Sequence, residues 1–198
     1  MYHKHHTKGI IISNKIEASD SCRVSIFTED FGVISARAQG ARTLHNKFRG
    51  GVQEFCVGEF SLVRGKTGWR VVGTRAEKNL FEDFKHSPEK LKIVFNVLNL
   101  IKKLVAEDLP TQAEEKHSLL FDTIAKFFVF LQQVKENEIA LAECLTLMRV
   151  LHILGYMRYD PELAVPLSSS EIAMKDLETI APCRFKIVTL INESLRAV

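Results

Sequence analysis

Apolar and polar residues alternate along the first part of the chain with the two-residue period of a β-strand. Residues 22–28 show the alternation most clearly, and residues 33–38 resume an extended pattern after a turn at residues 29–32. These two runs therefore predict a hairpin. Together with three further β-branched or aromatic runs, they predict five strands, at residues 9–13, 22–28, 33–38, 55–63 and 69–76.

The longest connection between the predicted strands follows the third strand. It covers residues 39–54, is polar, and contains Gly40, Gly50 and Gly51. Five short strands with a long third connection are typical of an OB-fold, a small five-stranded barrel. An SH3-like barrel agrees with the strand count nearly as well, so the pattern leaves both barrels open.

The period becomes helical beyond Asn79. Apolar residues recur at three- and four-residue spacing after Pro88, around residues 119–131 and over residues 139–154. This spacing places them on one face of an amphipathic helix. Gly155 then stands where a left-handed cap would end the third of these helices.

Shorter helices are predicted in the remaining chain. Residues 168–171, three serines and a glutamate, predict a helix cap before Ile172. A last amphipathic helix is predicted after Pro182. We therefore expect an α+β protein with two domains, an N-terminal five-stranded OB-fold barrel at residues 1–79 and an all-α helical domain at residues 80–198.

Composition changes this picture little. The chain has 198 residues, of which 46% are hydrophobic and 26% charged, as in an ordinary globular protein. It contains no run of 18 apolar residues, and its polar start leads into Ile10 without the apolar core of a secretory signal. The sequence thus predicts a cytoplasmic protein.

Charge is distributed unevenly between the two predicted domains. Residues 1–79 hold 13 Lys and Arg against 7 Asp and Glu, whereas residues 80–198 hold 14 against 17. A basic module of this kind favours a polyanionic partner. The positive charge is concentrated at residues 37–49, which contain four cations and no acid.

The acid-free segment at residues 37–49 is a candidate phosphate-binding loop. Glycine lets a backbone approach a ligand closely, and arginine binds phosphate oxygens in a bidentate manner. A solvated loop that is basic by chance is the alternative. Phe48 and Trp69 are candidate stacking surfaces for bases, although packing in the barrel is the favoured role for Trp69. The candidate residues for DNA binding are Arg37, Arg42, Lys47, Phe48, Arg49, Arg64, Lys66, Trp69 and Arg70.

The sequence shows none of the common catalytic or metal-binding motifs. Cys22, Cys56, Cys144 and Cys183 are too far apart along the chain for the paired thiolates of a structural zinc site. The Gly-Lys-Thr triplet at residues 65–67 lacks the preceding glycine of a P-loop. We therefore expect a protein that is not an enzyme and needs neither a cofactor nor a metal.

An ordered set of short motifs is similar to one known family. Residues 7–12 read Thr-Lys-Gly-Ile-Ile-Ile, residues 25–34 read Ser-Ile-Phe-Thr-Glu-Asp-Phe-Gly-Val-Ile, and residues 38–42 read Ala-Gln-Gly-Ala-Arg. Residues 50–55, Gly-Gly-Val-Gln-Glu-Phe, and residues 151–156, Leu-His-Ile-Leu-Gly-Tyr, complete the set. In this order the motifs resemble the RecO family of bacterial recombination mediators.

The chain departs from that family's pattern in three places. Gln39 stands where a lysine is usual, and Glu54 stands where a proline is common. Many family members carry a four-cysteine zinc module after the Leu-Gly-Tyr motif, whereas this chain has no cysteine between Cys144 and Cys183. The resemblance is therefore to a short form that lacks the zinc module.

The resemblance implies an OB-fold with a helical domain and a non-enzymatic role in DNA repair and recombination. It also implies binding of single- and double-stranded DNA, strand annealing, and recombinase loading in association with the bacterial nucleoid. The implied partners are RecR and the acidic C-terminal tail of the single-stranded DNA-binding protein. The residues themselves leave a second function open, a protein-interaction module whose basic barrel binds an acidic peptide or partner.

Overall fold

A closed five-stranded barrel forms the first part of the molecule. The computed structural model describes residues 3–17, 20–40, 50–106, 114–158, 160–168 and 171–196. The strands are β1 (Lys4–Ile16), β2 (Cys22–Thr28), β3 (Gly32–Ala38), β4 (Cys56–Gly65) and β5 (Gly68–Asn79). All five predicted strands are confirmed. β1 is longer than predicted because its polar first half pairs with β4 and its second half pairs with β2.

The strand order decides which small barrel this is. The strands follow the order β1-β2-β3-β5-β4, and β4 pairs with β1 to close the barrel. β3 and β5 pair in parallel, whereas the other neighbours are antiparallel. This order is that of an OB-fold, and it confirms the predicted α+β fold class, a five-stranded OB-fold barrel followed by helices.

The three consecutive isoleucines of β1 join the barrel to the helices. Ile11 packs inside the barrel with Ile26, whereas Ile10 and Ile12 pack in a second core that includes helical residues. All three isoleucines are at most 7% exposed, so β1 is covered on both sides. A continuous apolar run, rather than an alternation, is the expected sequence for a strand in this position.

The turn between β2 and β3 fixes the register of that hairpin. Gly32 has a φ of 66°, and a Cβ at this position would lie 2.5 Å from the carbonyl oxygen of Ala106, just beyond α2 (Pro88–Leu104). The Thr28 hydroxyl donates to the Gly32 carbonyl at 2.9 Å and accepts from the Phe31 N–H at 3.0 Å. The turn is therefore closed by its own hydrogen bonds and rests against the helical part.

The described residues after the barrel are mainly helical. The other helices are α1 (Leu80–Phe84), α3 (Glu114–Gln133), α4 (Ile139–Leu154), α5 (Ala164–Ser168), α6 (Met174–Ile180) and α7 (Arg184–Arg196). Short 3-10 turns lie at Glu136–Glu138, Pro161–Leu163 and Ala181–Cys183. Within the described ranges, no helix is both long and apolar enough to cross a membrane.

Two helix ends agree with the sequence prediction. The Asn79 side chain accepts a hydrogen bond of 2.9 Å from the Phe81 N–H and so begins α1 where the helical period was expected. Gly155 ends α4 with a φ of 82°, which confirms the predicted left-handed cap.

The helix start predicted at Ile172 is wrong, and residues 169–170 of the predicted cap lie outside the described residues. α6 begins at Met174, and the carboxylate of Asp176 accepts a hydrogen bond of 3.0 Å from the Ala173 N–H. Arg149 of α4 binds the carbonyl of Glu171 at 2.9 Å and holds this residue ahead of the helix. A contact between distant parts of the chain thus overrides the local signal of the serines.

The barrel and the helices share a core across the boundary at Asn79. The outer side of the barrel contributes Ile10, Ile12 and Phe27 to it. The Phe27 ring lies 5.4 Å, between ring centres, from the ring of Phe121 on α3. The division into domains at residues 1–79 and 80–198 stays a prediction.

Candidate nucleic-acid interface

Four cations lie side by side on the outside of the barrel. Lys15 of β1 pairs with Arg23 of β2. Arg23 in turn pairs with Arg37 of β3, and Arg37 pairs with Arg70 of β5. All four residues are exposed, and a spacing of about 4.8 Å between strands gives the set a span of about 14 Å. We call Lys15, Arg23, Arg37 and Arg70 the basic row.

The hairpin turn and the strand alternation together place the basic row on the outer surface. Arg23 and Arg37 are equally far from Asp30 in the turn, so they become partners in the hairpin. Their neighbours Val24 and Ala36 are also partners, and both are fully buried in the barrel. Because successive residues of a strand point to opposite faces, the two arginines point to solvent.

The basic row does not stabilise the barrel by itself. Partners on neighbouring strands have Cβ atoms about 5 Å apart, and like charges at that distance are destabilising. The carboxylate of Glu17 offsets part of this repulsion, because it lies 2.5 Å from Arg23 Nη2 and 3.4 Å from Arg37 Nε. A surface that concentrates one sign of charge in this way attracts ligands of the opposite sign.

An open groove with a volume of about 610 Å³ lies on the same face of the barrel. Its lining includes Arg23, Arg37 and Arg70, together with the neutral polar residues Gln39 and Thr67. The structure therefore brings three of the predicted site residues, Arg37, Trp69 and Arg70, into one groove. The groove offers donors for an anionic chain rather than an enclosed pocket for a small molecule.

The β4–β5 hairpin carries Trp69 and two more of the predicted site residues, Arg64 and Lys66. Lys66 is exposed in the turn. The guanidinium carbon of Arg64 lies 5.5 Å from the centre of the Trp69 ring. Trp69 is only 3% exposed, and its ring centre lies 5.1 Å from that of Phe31. This burial agrees with the packing role favoured for Trp69 and leaves little of the ring for a base to stack on.

The remaining predicted site residues belong to the loop between β3 and β4. Arg42, Lys47, Phe48 and Arg49 lie outside the described residues. The loop leaves β3 directly after Ala38, one residue beyond Arg37 of the basic row. Its part in binding stays a prediction.

The candidate DNA-binding residues inferred from the sequence did not include Lys15, Arg23 or their counterion Glu17, although Lys15 and Arg23 counted among the supporting cations of the predicted barrel. Symmetry of the hairpin about Asp30 is the signal that could have paired Arg23 with Arg37. The position of Lys15 could not be predicted in this way, because β1 has an irregularity between Ile11 and Ser13 that shifts its pairing with β2.

Other kinds of chemistry have little support among the described residues. No group of three or more His, Cys, Asp and Glu side chains is placed there to hold a metal ion. None of the four cysteines, all of which lie in the described ranges, forms a disulfide. Burial raises the pKa of the Cys56 and Cys144 thiols. A raised pKa disfavours the thiolate, which is the reactive form of cysteine.

The chain is similar to known proteins both over the barrel and over most of its length. Residues 1–72 match the family model described as recombination protein O, N-terminal. The chain is 25% identical over 165 residues to the DNA repair protein RecO of Alkaliphilus metalliredigens (strain QYMF), covering 83% of this chain and 63% of that relative. It is 38% identical over 61 residues to the DNA repair protein RecO of Clostridium novyi (strain NT), covering 31% and 24%.

A further relative is the DNA repair protein RecO of Dehalococcoides mccartyi (strain ATCC BAA-2266 / KCTC 15142 / 195), at 27% identity over 162 residues. This match covers 81% of this chain and 59% of the relative. The chain thus spans less than two thirds of the length of these relatives. All members of the basic row lie within the residues that the family model matches. The predicted resemblance is therefore confirmed: this chain is similar to proteins of the RecO family, and the family's N-terminal model matches its barrel over residues 1–72.

Proposed function

We propose that this protein binds DNA on the barrel face that carries the basic row. The observation that supports this most is the alignment of Lys15, Arg23, Arg37 and Arg70 across four neighbouring strands. A row of about 14 Å is long enough to meet several phosphates, since one strand of a duplex rises about 3.4 Å per nucleotide. In this proposal the cations at residues 41–49 also contribute to the binding.

The proposed binding is electrostatic and does not depend on base sequence. Each lysine or arginine that neutralises a phosphate releases condensed counterions, so affinity falls steeply with salt. The burial of Trp69 argues against a large share of base stacking on that ring. Both single- and double-stranded DNA present the phosphates that such a surface recognises.

A role as a recombination mediator in DNA repair follows from this binding and from the relatives' names. In the proposal, the protein holds two strands with their charges screened, which favours annealing, and it loads a recombinase onto DNA. RecR and the acidic C-terminal tail of the single-stranded DNA-binding protein are its proposed partners. This mechanism needs no catalytic residue.

The direct test uses the full chain with Lys15→Ala and Arg70→Ala combined. The Glu17 contacts described above are with Arg23 and Arg37, so this variant leaves them in place. We expect affinity for a labelled single-stranded oligonucleotide to fall by roughly five- to thirtyfold, from about 0.5 to 1 kcal/mol for each lost contact. The plot of log affinity against log salt should become shallower by about 1.4, at about 0.7 for each phosphate contact.

The matched control removes two exposed lysines from the helical part, with Lys92→Ala and Lys175→Ala combined. This control has the same net charge as the test variant but leaves the basic row intact. Equal affinities and equal salt slopes for the two double variants would contradict the assignment of DNA binding to the row.

A second candidate function has one observation in its favour. The basic row already binds a carboxylate, that of Glu17, so it is chemically suited to an acidic peptide. Titration of the same variants with a labelled peptide rich in Asp and Glu separates the two functions. Loss of peptide binding in the Lys15→Ala/Arg70→Ala variant, with DNA affinity unchanged, would favour the protein-interaction module.

A further inference from the structure

Glu17 holds the two central arginines of the basic row. Its Oε1 accepts from both Nε and Nη2 of Arg23, at 3.1 and 2.5 Å, and its Oε2 lies 3.4 Å from Nε of Arg37. One carboxylate thus bridges side chains from two neighbouring strands. All three side chains keep between a third and a half of their surface in contact with solvent.

Backbone contacts aim this carboxylate at the arginines. Glu17 directly follows the last residue of β1, and its N–H donates to the carbonyl of Ser21 at 3.1 Å. Ser21 is fully buried, and its hydroxyl is 3.3 Å from Nη2 of Arg37. Ser21 therefore contacts both the backbone of Glu17 and Nη2 of Arg37, and so holds the two residues close together.

The contacts of this carboxylate are those that a phosphodiester would make. Both groups present two oxygens, and a guanidinium binds either of them through two parallel N–H donors. We propose that Arg23 and Arg37 form a phosphodiester site that the carboxylate of Glu17 occupies until nucleic acid displaces it. This inference rests on the proposed function and adds to it a site, its ligand and an internal competitor.

Displacement of Glu17 is physically feasible. Exposed ion pairs contribute little to stability, so a phosphate can replace the carboxylate without a large cost. The competing carboxylate lowers affinity and speeds the release of a bound strand. Rapid release suits a protein that must hold two strands and then let the annealed product go.

The test variant is Glu17→Gln, which keeps the shape of the side chain and removes its charge. We expect affinity for a labelled single-stranded DNA oligonucleotide to rise about two- to fivefold, the range for one exposed ion pair. The gain should come mainly from slower dissociation. The salt dependence should steepen by about 0.7, because one more phosphate is neutralised by protein cations.

Glu59→Gln is the matched control. It also removes one carboxylate from an exposed ion pair, with Arg75 at 3.0 Å, and it gives the same net charge. Arg75 lies five residues along β5 from Arg70, about 17 Å away, which is beyond the screening length of about 8 Å at physiological salt. We expect this control to bind DNA like the parent protein.

Three comparisons decide the outcome. An equal gain in Glu17→Gln and Glu59→Gln would overturn the site, because only general charge would then matter. An unchanged DNA affinity of Glu17→Gln would also overturn the site, if its melting temperature equals that of the parent. This conclusion requires that Lys15→Ala/Arg70→Ala still weakens DNA binding. If neither Glu17→Gln nor Lys15→Ala/Arg70→Ala changes DNA affinity, the proposed DNA-binding function fails instead. A gain that persists in a background with Arg23→Ala and Arg37→Ala would also contradict the site, because those arginines are its ligands.

Discussion

Arg149 in the helical part and the arginines of the basic row place the same side chain in opposite settings. Arg149 is 3% exposed and donates to the carbonyls of Pro166 and Glu171 at 2.9 Å, with Asp176 Oδ2 at 3.4 Å. Arg23 and Arg37 keep about half of their side-chain surface exposed. The solvent exposure of a guanidinium thus separates an arginine that organises the fold from one that can bind a ligand.

The electrostatics of the two settings differ in the same way. Burial lowers the pKa of Arg149, and the charge of Asp176 opposes that effect. The buried pair is therefore needed once Arg149 is inside, although it is weak evidence for a gain in stability over an apolar pair. In the basic row, solvent provides the hydration that Arg149 has lost, so ligand phosphates compete mainly with water and with Glu17.

The largest expected effect is that of Arg149→Ala. Removal of one partner from a buried ion pair typically lowers the free energy of unfolding by about 3 to 5 kcal/mol, because the other partner is left buried and unpaired. Trp69 is the only tryptophan in the sequence and lies in the barrel, so its fluorescence reports barrel unfolding. Far-UV circular dichroism reports the helices.

We expect both signals to shift together in Arg149→Ala, because the barrel and the helices share a core. The DNA affinity of the folded protein should be unchanged. Asp176→Asn provides a milder variant if Arg149→Ala does not fold. A loss seen only in circular dichroism, with the Trp69 transition unmoved, would favour independent domains at residues 1–79 and 80–198.

The next largest effect is expected from the loop. Arg42→Ala, Lys47→Ala and Arg49→Ala combined should weaken DNA binding by roughly tenfold or more and make the salt dependence shallower by about 2, at about 0.7 for each phosphate. Urea unfolding should be unaffected, in contrast to Arg149→Ala. The matched control is a triple alanine variant at Lys92, Lys135 and Lys175, all exposed in the helical part. An unchanged DNA affinity of the loop variant at two salt concentrations would contradict the assignment of DNA binding to the loop.

The smallest effect concerns a half-buried ion pair of the helical part. Lys186 lies 2.7 Å from Asp160, and its hydrogen bond lowers the pKa of that carboxyl below 3.8. A carboxyl with a lowered folded-state pKa contributes stability above its unfolded pKa and loses it as pH falls through the folded value. Asp160→Asn should therefore slightly lower the urea midpoint near pH 7 and have a smaller effect near pH 2.

The asparagine in this variant keeps the side-chain oxygen that accepts from the Glu162 N–H at 3.0 Å, so the variant isolates the charge. A variant whose loss of stability is the same at both pH values would show that the cap, rather than the ion pair, carries the effect.

Local patterns predicted the elements of the fold better than the contacts between them. The turn before Gly32 and the cap at Gly155 each depend on a few neighbouring residues, and both were predictable. Ahead of α6, Glu171 is held by Arg149, which is more than 20 residues away in the sequence. The serines therefore predicted the wrong first residue for this helix. Strand alternation predicted the inner face of the barrel but could not show which outer residues the helices cover.

The same limit applies to the candidate site. Arg37 and Arg70 were identified from charge alone. They are adjacent because β3 and β5 pair in parallel, and a hairpin pattern in the sequence does not predict parallel pairing. Glu17 was overlooked because a single acid near a strand end is common. Only the pairing of β1, β2 and β3 shows that its carboxylate lies between two arginines.

The turn at Gly32 has a consequence for which sequence changes this protein can accept. Insertion of one residue between Thr28 and Gly32 would reverse the faces of β3 relative to β2, turning Arg37 into the barrel and Ala36 outward. The close approach of Gly32 to Ala106 also leaves no room for a longer turn without moving the helical part. Substitutions along these strands should therefore be tolerated far more readily than any change in the length of this turn.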